Sequence, residues 1–190
     1  MSKTLTRRAL IVSLKQLMAE TPFSKITVAD ICSNAEVSNR NFYRYYRDKY
    51  DLMDDIFDYE IMSHVEYHDD WCGWDYFPNF CDYCYKNRAF ICNAALVEGP
   101  NSPREYWRAF LKPYILHDFQ DTFMNETAPD FYVPRLADII IDYVLLWLKN
   151  EPCLPPDKFI VSLRSSLASN SRRVWELCSR KTHSPLDQAL

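Results

Sequence analysis

Residues 27–49, TVADICSNAEVSNRNFYRYYRDK, constrain the fold more than any other stretch of the chain. Thr27 is a good N-cap, and Asp30, three residues on, can return a bond to it as in a capping box. Val28 and Ile31 share one face of the short helix that follows. Asn34-Ala35-Glu36 interrupts it, and Ala35 is small enough to let two helices come close. Ser38 caps a second short helix, dense in Arg, Asn and Tyr. A short helix, a tight turn and a second short helix make a helix-turn-helix, which lays its second helix in the major groove of DNA.

The faces of that second helix, Ser38 to Tyr46, follow from about 100° per residue. Phe42 and Tyr46 lie four apart, share a face with Val37, and should pack inward. Arg40, Asn41 and Arg44 then point outward, with Tyr43 and Tyr45 on the flanks. Arg can pair with guanine and Asn with adenine through two hydrogen bonds each, worth roughly 1–3 kcal/mol of discrimination. Flanking tyrosine hydroxyls can reach phosphates and fix the register. The free N–H groups after Ser38 suit a phosphate. Asp48 caps the next helix, and Lys49 in its first turn is placed to meet the DNA backbone once more. A charged helix face is commonly nothing more than solvated. Here the caps, the inward aromatic pair and the outward cations agree in register.

Charge is partitioned in the same sense. Residues 1–50 hold nine Lys or Arg against four Asp or Glu, a net +5, while the remainder carries 13 against 22, a net −9. A polyanion is drawn to the head and repelled by the body, so an overall charge of −4 does not argue against DNA binding.

The rest of the chain reads as helical. Two glycines in 190 residues leave few places for strand turns. The prolines, almost all beyond residue 77, punctuate helices expected at about 4–20, 48–68, 78–86, 88–97, a seventh opening at Pro103 behind Ser102, 133–150 and 156–178. Pro113 should kink or split the seventh, and Pro129 to Pro134 reads as a loop. The expected architecture is all-α with about nine helices: a three-helix head, residues 1–50, and a larger helical-bundle body, residues 51–182. No N-terminal run resembles a signal peptide, and the apolar stretch 136–148 is too short and too acidic to span a bilayer, so a cytoplasmic protein without a membrane partner is expected.

These residues resemble the DNA-binding domain of the TetR family of bacterial transcriptional regulators. The likeness rests on Thr21-Pro22-Phe23, Ile26-Thr27-Val28, Ile31, Ala35-x-Val37-Ser38, Phe42-Tyr43-x-Tyr45-Tyr46 and Asp48-Lys49-x-x-Leu52. It implies a regulator that binds a double-stranded operator as a homodimer, represses, and lets go when a small molecule enters the body. It also implies that Thr27, Ser38, Tyr43, Tyr45 and Lys49 contact phosphates, and Arg40 and Asn41 bases. Two positions depart from the family. Its turn commonly has Gly where this chain has Glu36, which is strained if φ is positive there. Position 41 is often Thr, so Asn41 implies a different base preference. In the body, Tyr85-x-Asn87-Arg88-x-Phe90, Glu98-Gly99 and Trp147-Leu148-Lys149-Asn150 are similar to a subgroup related to dihydroxyacetone kinase regulators.

By the same resemblance an effector pocket lies inside the body, with Trp71, Trp74, Tyr83, Phe90, Trp107 and His117 as aromatic candidates for an unidentified effector. The last two helices carry apolar residues beyond the needs of a small body. Ile140, Tyr143, Trp147, Leu163, Leu167 and Val174 are candidates for a two-fold interface, which would space two recognition helices by about 34 Å.

Seven cysteines, an odd number with no extracellular context, read as reduced and buried. His64, His68 and Cys72, with the C-x-x-C of Cys81 and Cys84, have spacings that a soft metal could use. Ordinary packing outweighs that reading, and no metal or cofactor is expected. No Ser-His-Asp pattern, phosphate loop or H-E-x-x-H occurs, so no catalytic residue is assigned and an enzyme is not expected. The alternative to a DNA-binding regulator is a ligand-binding co-regulator with weakened DNA affinity that acts through a partner protein. Glu36 is its one support.

Overall fold

The computed structural model describes residues 3–62, 72–99, 102–118 and 129–180. Among them the regular elements are nine α-helices and one 3-10 turn. They run α1 Lys3–Glu20, the turn Phe23–Lys25, α2 Val28–Asn34, α3 Asn39–Phe42, α4 Lys49–Met62, α5 Gly73–Lys86, α6 Arg88–Ala94, α7 Pro103–Asp118, α8 Pro129–Lys149 and α9 Pro156–Arg180. The chain divides into two compact units, Met1–Cys153 and Leu154–Leu190. The second is built on α9, which opens on Pro156, a residue whose missing N–H costs nothing at a helix start.

The head packs around the apolar stripe of α1. Leu10, Leu14 and Met18 are fully buried, together with Ile31 of α2, Phe42 of α3 and Leu52, Met53 and Ile56 of α4. One buried polar link fixes α2 on α1. The Ser13 hydroxyl donates to the Ile31 carbonyl at 2.8 Å, and the Asn34 amide donates back to Ser13 and to Gln16. A buried hydroxyl with both roles filled costs little, and it fixes one register between the helices.

In the body, α7 and α8 pair through an ion ladder. Arg108 binds Asp138 through two guanidinium nitrogens, at 2.8 and 3.0 Å, and Arg104 reaches both Asp138 and Asp142. Below it Ile115, Val133 and Ala137 form a local apolar cluster. The residues that sequence alone singled out in the body turn out to touch one another. Arg88 donates to the Leu148 and Asn150 carbonyls and pairs with Glu151, so it caps the C-terminal end of α8. Tyr85 stacks on Trp147 with centroids 6.0 Å apart.

Four prolines do not act as expected. The fifth helix begins at Gly73, not at Pro78, because the Cys72 N–H donates to Asp75 and starts the helix five residues earlier. Pro113 does not split α7, which runs unbroken from Pro103 to Asp118. Pro129 opens α8 and Pro134 lies inside it, so this segment is helix, not loop. A proline in the first turns forfeits at most one bond, and the long apolar face that follows outweighs that loss. The sixth helix is shorter than expected and closes at Ala94.

Candidate nucleic-acid interface

The turn Phe23–Lys25, α2 and α3 present the head's basic surface. Thr27 caps α2 as a complete capping box. Its hydroxyl accepts the Asp30 N–H at 3.1 Å and donates to the Asp30 carboxylate at 2.7 Å, which also takes the Thr27 N–H at 2.8 Å. These bonds hold the Asp30 carboxyl below its ordinary pKa, the Thr27 hydroxyl contributing most. Thr27 is exposed at the edge of the surface.

Between the helices the chain turns through Glu36, at φ 54°. The Val37 N–H reaches back to the Cys32 carbonyl at 2.9 Å, closing a Schellman-type C-cap with Glu36 in the left-handed position. The expected conflict is therefore real: a side chain with a Cβ occupies a conformation that costs a non-glycine residue about 1–2 kcal/mol.

Ser38 then caps α3, accepting the Asn41 N–H on its hydroxyl at 3.3 Å. The α-helix proper is one turn, Asn39–Phe42, shorter than the Ser38–Tyr46 span read from sequence. Beyond it the bonds tighten. Arg44 N–H donates to Asn41 and Tyr45 N–H to Phe42, three residues back, before Tyr46 N–H returns to Phe42. The segment stays coiled as a 3-10-like turn, and side chains three apart come closer to eclipse.

That coil keeps the inward and outward faces apart. Val37, Phe42 and Tyr46 are buried, Phe42 completely. Arg40, Tyr43 and Arg44 are exposed, Asn41 and Tyr45 half-buried. Among the described residues neither guanidinium has a hydrogen-bond or ion-pair partner, so both are free for a ligand. Tyr43 is 60% exposed, and its ring lies edge-on to Phe42 at 5.4 Å.

Lys49 has an occupation that its sequence position did not reveal. Its ammonium donates to the carbonyls of Phe23 and Ile26 at 2.7 Å each and to Ser24 at 3.5 Å, over the Phe23 ring at 4.4 Å. An ammonium has three donors, and this cage uses all three. Burial pulls its pKa down. In this arrangement Lys49 locks the 3-10 turn to α4.

A second group that sequence reasoning missed holds the recognition segment in place. Asp55 of α4 accepts Tyr46 Oη at 2.6 Å and takes Arg7 of α1 in a two-pronged pair at 2.5 and 2.7 Å. Burial, then the bond to Asp55, raises the Tyr46 phenol well above its usual pKa. The signal was present in the spacing. Asp51, Asp55 and Asp58 recur along one side of α4 beneath a basic head. Asp51 answers Arg47, and Asp58 accepts the Tyr106 hydroxyl of α7 at 2.6 Å. Next along the helix, Glu60 joins Lys15 of α1 to Tyr83 of α5, at 2.5 and 2.9 Å.

The effector candidates scatter. Trp71 lies outside the described residues, as do His64 and His68 of the suggested metal set. His117 is exposed beside Asp118, and Trp74 is half-buried edge-on to Phe77. Tyr83 and Phe90 are buried against α4. Trp107 lines a cavity. Its other walls are Phe80 and Cys84 of α5, Ile91 of α6, Phe110 and Leu111 of α7, and Ile140, Ile141, Val144 and Leu145 of α8. The cavity is about 20 Å³. Burial pushes the Cys81 thiol up to about 12 and raises that of Cys84 as well, so both are neutral packing groups at pH 7.

The interface candidates divide too. Trp147 is buried within the chain, and Ile140 lines the cavity. Tyr143 is outward, in line with Ile139 and Leu146, at 38%, 49% and 62% exposure. Leu163 is buried, Leu167 half-buried, and the Val174 side chain lies outside the described residues.

Comparison with known proteins agrees with this geometry. The family model described as bacterial regulatory proteins, tetR family, matches residues 10–56. Seventy residues align at 26% identity with the dhaKLM operon transcriptional activator DhaS of Lactococcus lactis subsp. lactis (strain IL1403), 37% of either chain. Among solved structures, a dihydroxyacetone kinase operon activator DhaS superposes with a TM-score of 0.63 at 15% identity, covering 88% of this chain and 97% of that one. NalD, the secondary repressor of the MexAB-OprM multidrug efflux pump in Pseudomonas aeruginosa, gives 0.60 at 16% identity, covering 88% and 97%. A TetR transcriptional regulator from Streptococcus agalactiae 2603V gives 0.62 at 19%, covering 83% and 90%. At such identities the structures speak for the fold.

Proposed function

We propose that this chain, whose residues 10–56 match the tetR family model, is a ligand-responsive repressor of that family that grips its operator as a homodimer. The observation that carries the reading is the division of the Val37–Tyr46 segment. Its apolar side chains are buried, while Arg40 and Arg44 stand exposed without partners among the described residues. Two unpaired guanidiniums flanking Asn41 form a base-reading set, with Tyr43, Tyr45, Thr27 and Ser38 around it as phosphate contacts.

A second copy supplies what one head lacks. A single short recognition element reads only a few base pairs, and a two-fold pair reads two half-sites one helical turn apart. The outward stripe Ile139, Tyr143 and Leu146 on α8 supports such an interface. Repression follows from occupancy: a dimer seated on a promoter excludes polymerase until an effector in the body disfavours the DNA-bound arrangement. The co-regulator alternative requires a head unable to hold phosphates, and its exposed cations favour the direct reader.

A mobility-shift titration over the chain's own upstream region tests this. The expected result is a complex of a protein dimer with DNA that weakens steeply with salt, because each phosphate contact releases counterions. A complex that ignores salt, or none at low salt, overturns it.

A further inference from the structure

We propose that the effector of this regulator is an uncharged, largely hydrocarbon molecule carrying one hydrogen-bond acceptor, and that the indole N–H of Trp107 receives that acceptor. The inference rests on the effector reading above and names the chemistry of its site.

The cavity between α5, α6, α7 and α8 has no charged wall. The one titratable group among its walls is the Cys84 thiol, which burial keeps protonated. An ion entering such a lining would lose its hydration and gain no partner, and a polyol would leave most of its hydroxyls unpaired. An apolar body loses nothing of that kind. One of the lining residues nevertheless carries an unmatched polar atom. Trp107 is 95% buried, and among the described residues its Nε1 has no hydrogen-bond partner. Buried indole N–H groups usually find an acceptor, and the proposal reads this one as a place kept for an incoming group. Water fills it poorly, since a buried water needs two to four polar partners and the lining is nearly all hydrocarbon.

Room for a larger occupant exists next door. An open groove of about 270 Å³ runs beside Tyr106, Ala109, Phe110, Pro113 and Tyr114, and Phe110 is a wall of both spaces. Phe110 is half-buried between the rings of Phe80 and Tyr114, and the proposal requires it to turn to another rotamer so that the two spaces join. The combined space suits a molecule of about ten to fifteen heavy atoms, near the lower bound for ligand pockets.

The site is also wired to the head. Trp107 packs edge-on against Phe57 of α4 at 5.6 Å, and the neighbouring Tyr106 stacks on the same ring while its hydroxyl holds Asp58. A ligand that shifts the indole therefore shifts the helix that carries Asp55 and, through it, Tyr46.

Indole N–H resonances of the full-length protein test the proposal, with Trp107→Phe identifying the relevant peak. Acetophenone and 2-nonanone are titrated beside α-methylstyrene and 2-methyl-1-nonene, which replace C=O by C=CH2 at nearly the same shape. Benzoate and dihydroxyacetone serve as charged and polyol probes. The expected result is a saturable downfield shift of the Trp107 peak with at least one ketone, affinity about tenfold above its alkene partner, and no response to benzoate or dihydroxyacetone. In Trp107→Phe the ketone loses that tenfold advantage. If neither ketone moves the peak, or if benzoate or dihydroxyacetone does, the proposal is overturned. The same ketone added to the DNA complex separates the two readings. Binding with the indole signature but without DNA release sustains the ligand class and overturns the effector role.

Discussion

The head and the body are built by opposite logics. In the head, the side chains proposed to contact DNA project outward from short elements, and each element is fixed by caps within a few residues of itself: Thr27 with Asp30, Ser38 with Asn41, Asp48 with Asp51. In the body, the candidate site faces inward and is assembled from four helices spread over more than sixty residues. A surface that reads DNA can be specified locally because the ligand brings the rest of the geometry. A cavity cannot, because each wall exists only once the other helices have packed.

The sharpest way to break this contrast is to remove the outward cations. Arg40→Ala combined with Arg44→Ala should weaken operator binding by on the order of 100-fold or more, at about 1–3 kcal/mol per lost base contact. Thermal stability and probe binding in the body should stay unchanged. A matching loss of stability would mean these side chains serve the fold.

A smaller effect is expected where the two regions meet. Asp55→Ala strands Arg7 and the Tyr46 hydroxyl in a partly buried site and should cost roughly 1–3 kcal/mol. At about 2–4 °C per kcal/mol for a chain of this size, that is visible in a melting curve. Operator affinity should fall with it, and Arg40→Ala should show no such coupled loss of stability.

Glu36→Gly works in the other direction. Removing the left-handed strain should stabilise the head by about 1 kcal/mol. Removing a carboxylate beside the basic surface should tighten DNA binding several-fold, most visibly at low salt. Unchanged binding would place Glu36 beyond the reach of the phosphates.

The smallest effect is in pH. Burial first, then Asp51 and Asp58, hold the Asp54 carboxyl above its ordinary pKa. Such a group favours the folded state while protonated, and that advantage is lost as pH rises from the unfolded value near 4 through the raised folded value. Asp54→Asn, always neutral, should match wild type below about pH 4 and gain on it as pH climbs to 7. A difference that does not vary with pH would remove Asp54 from the account.

The same contrast explains what could be read in the chain before its structure. The caps of α2 and α3, the buried Phe42–Tyr46 pair, the helical class and the positive φ at Glu36 all follow from residues within a few positions of one another. The length of α3 did not: Arg44 and Tyr45 switch to three-residue bonding just before Tyr46, whose hydroxyl is held by Asp55 of another helix, a partner that local sequence does not reveal. The cage on Lys49 was hidden for the same reason, since its carbonyls lie more than twenty residues away. In the body, prolines misled because position within a helix decides their effect. Arg88 and Trp147 stood out in sequence, yet their partners show them joining α8 to the α5–α6 corner. Trp107, one of the aromatic candidates for a pocket, lines one together with aliphatic residues that composition could not distinguish from ordinary core.

Selection of bound sequences from random DNA, run in parallel with the wild-type chain and Arg40→Ala, tests the central claim most directly. The account predicts that wild type enriches two half-sites about one helical turn apart, and that Arg40→Ala loses preference at one position in each half-site while keeping the others. Identical enriched sequences from both proteins, or none from wild type at low salt, would contradict it.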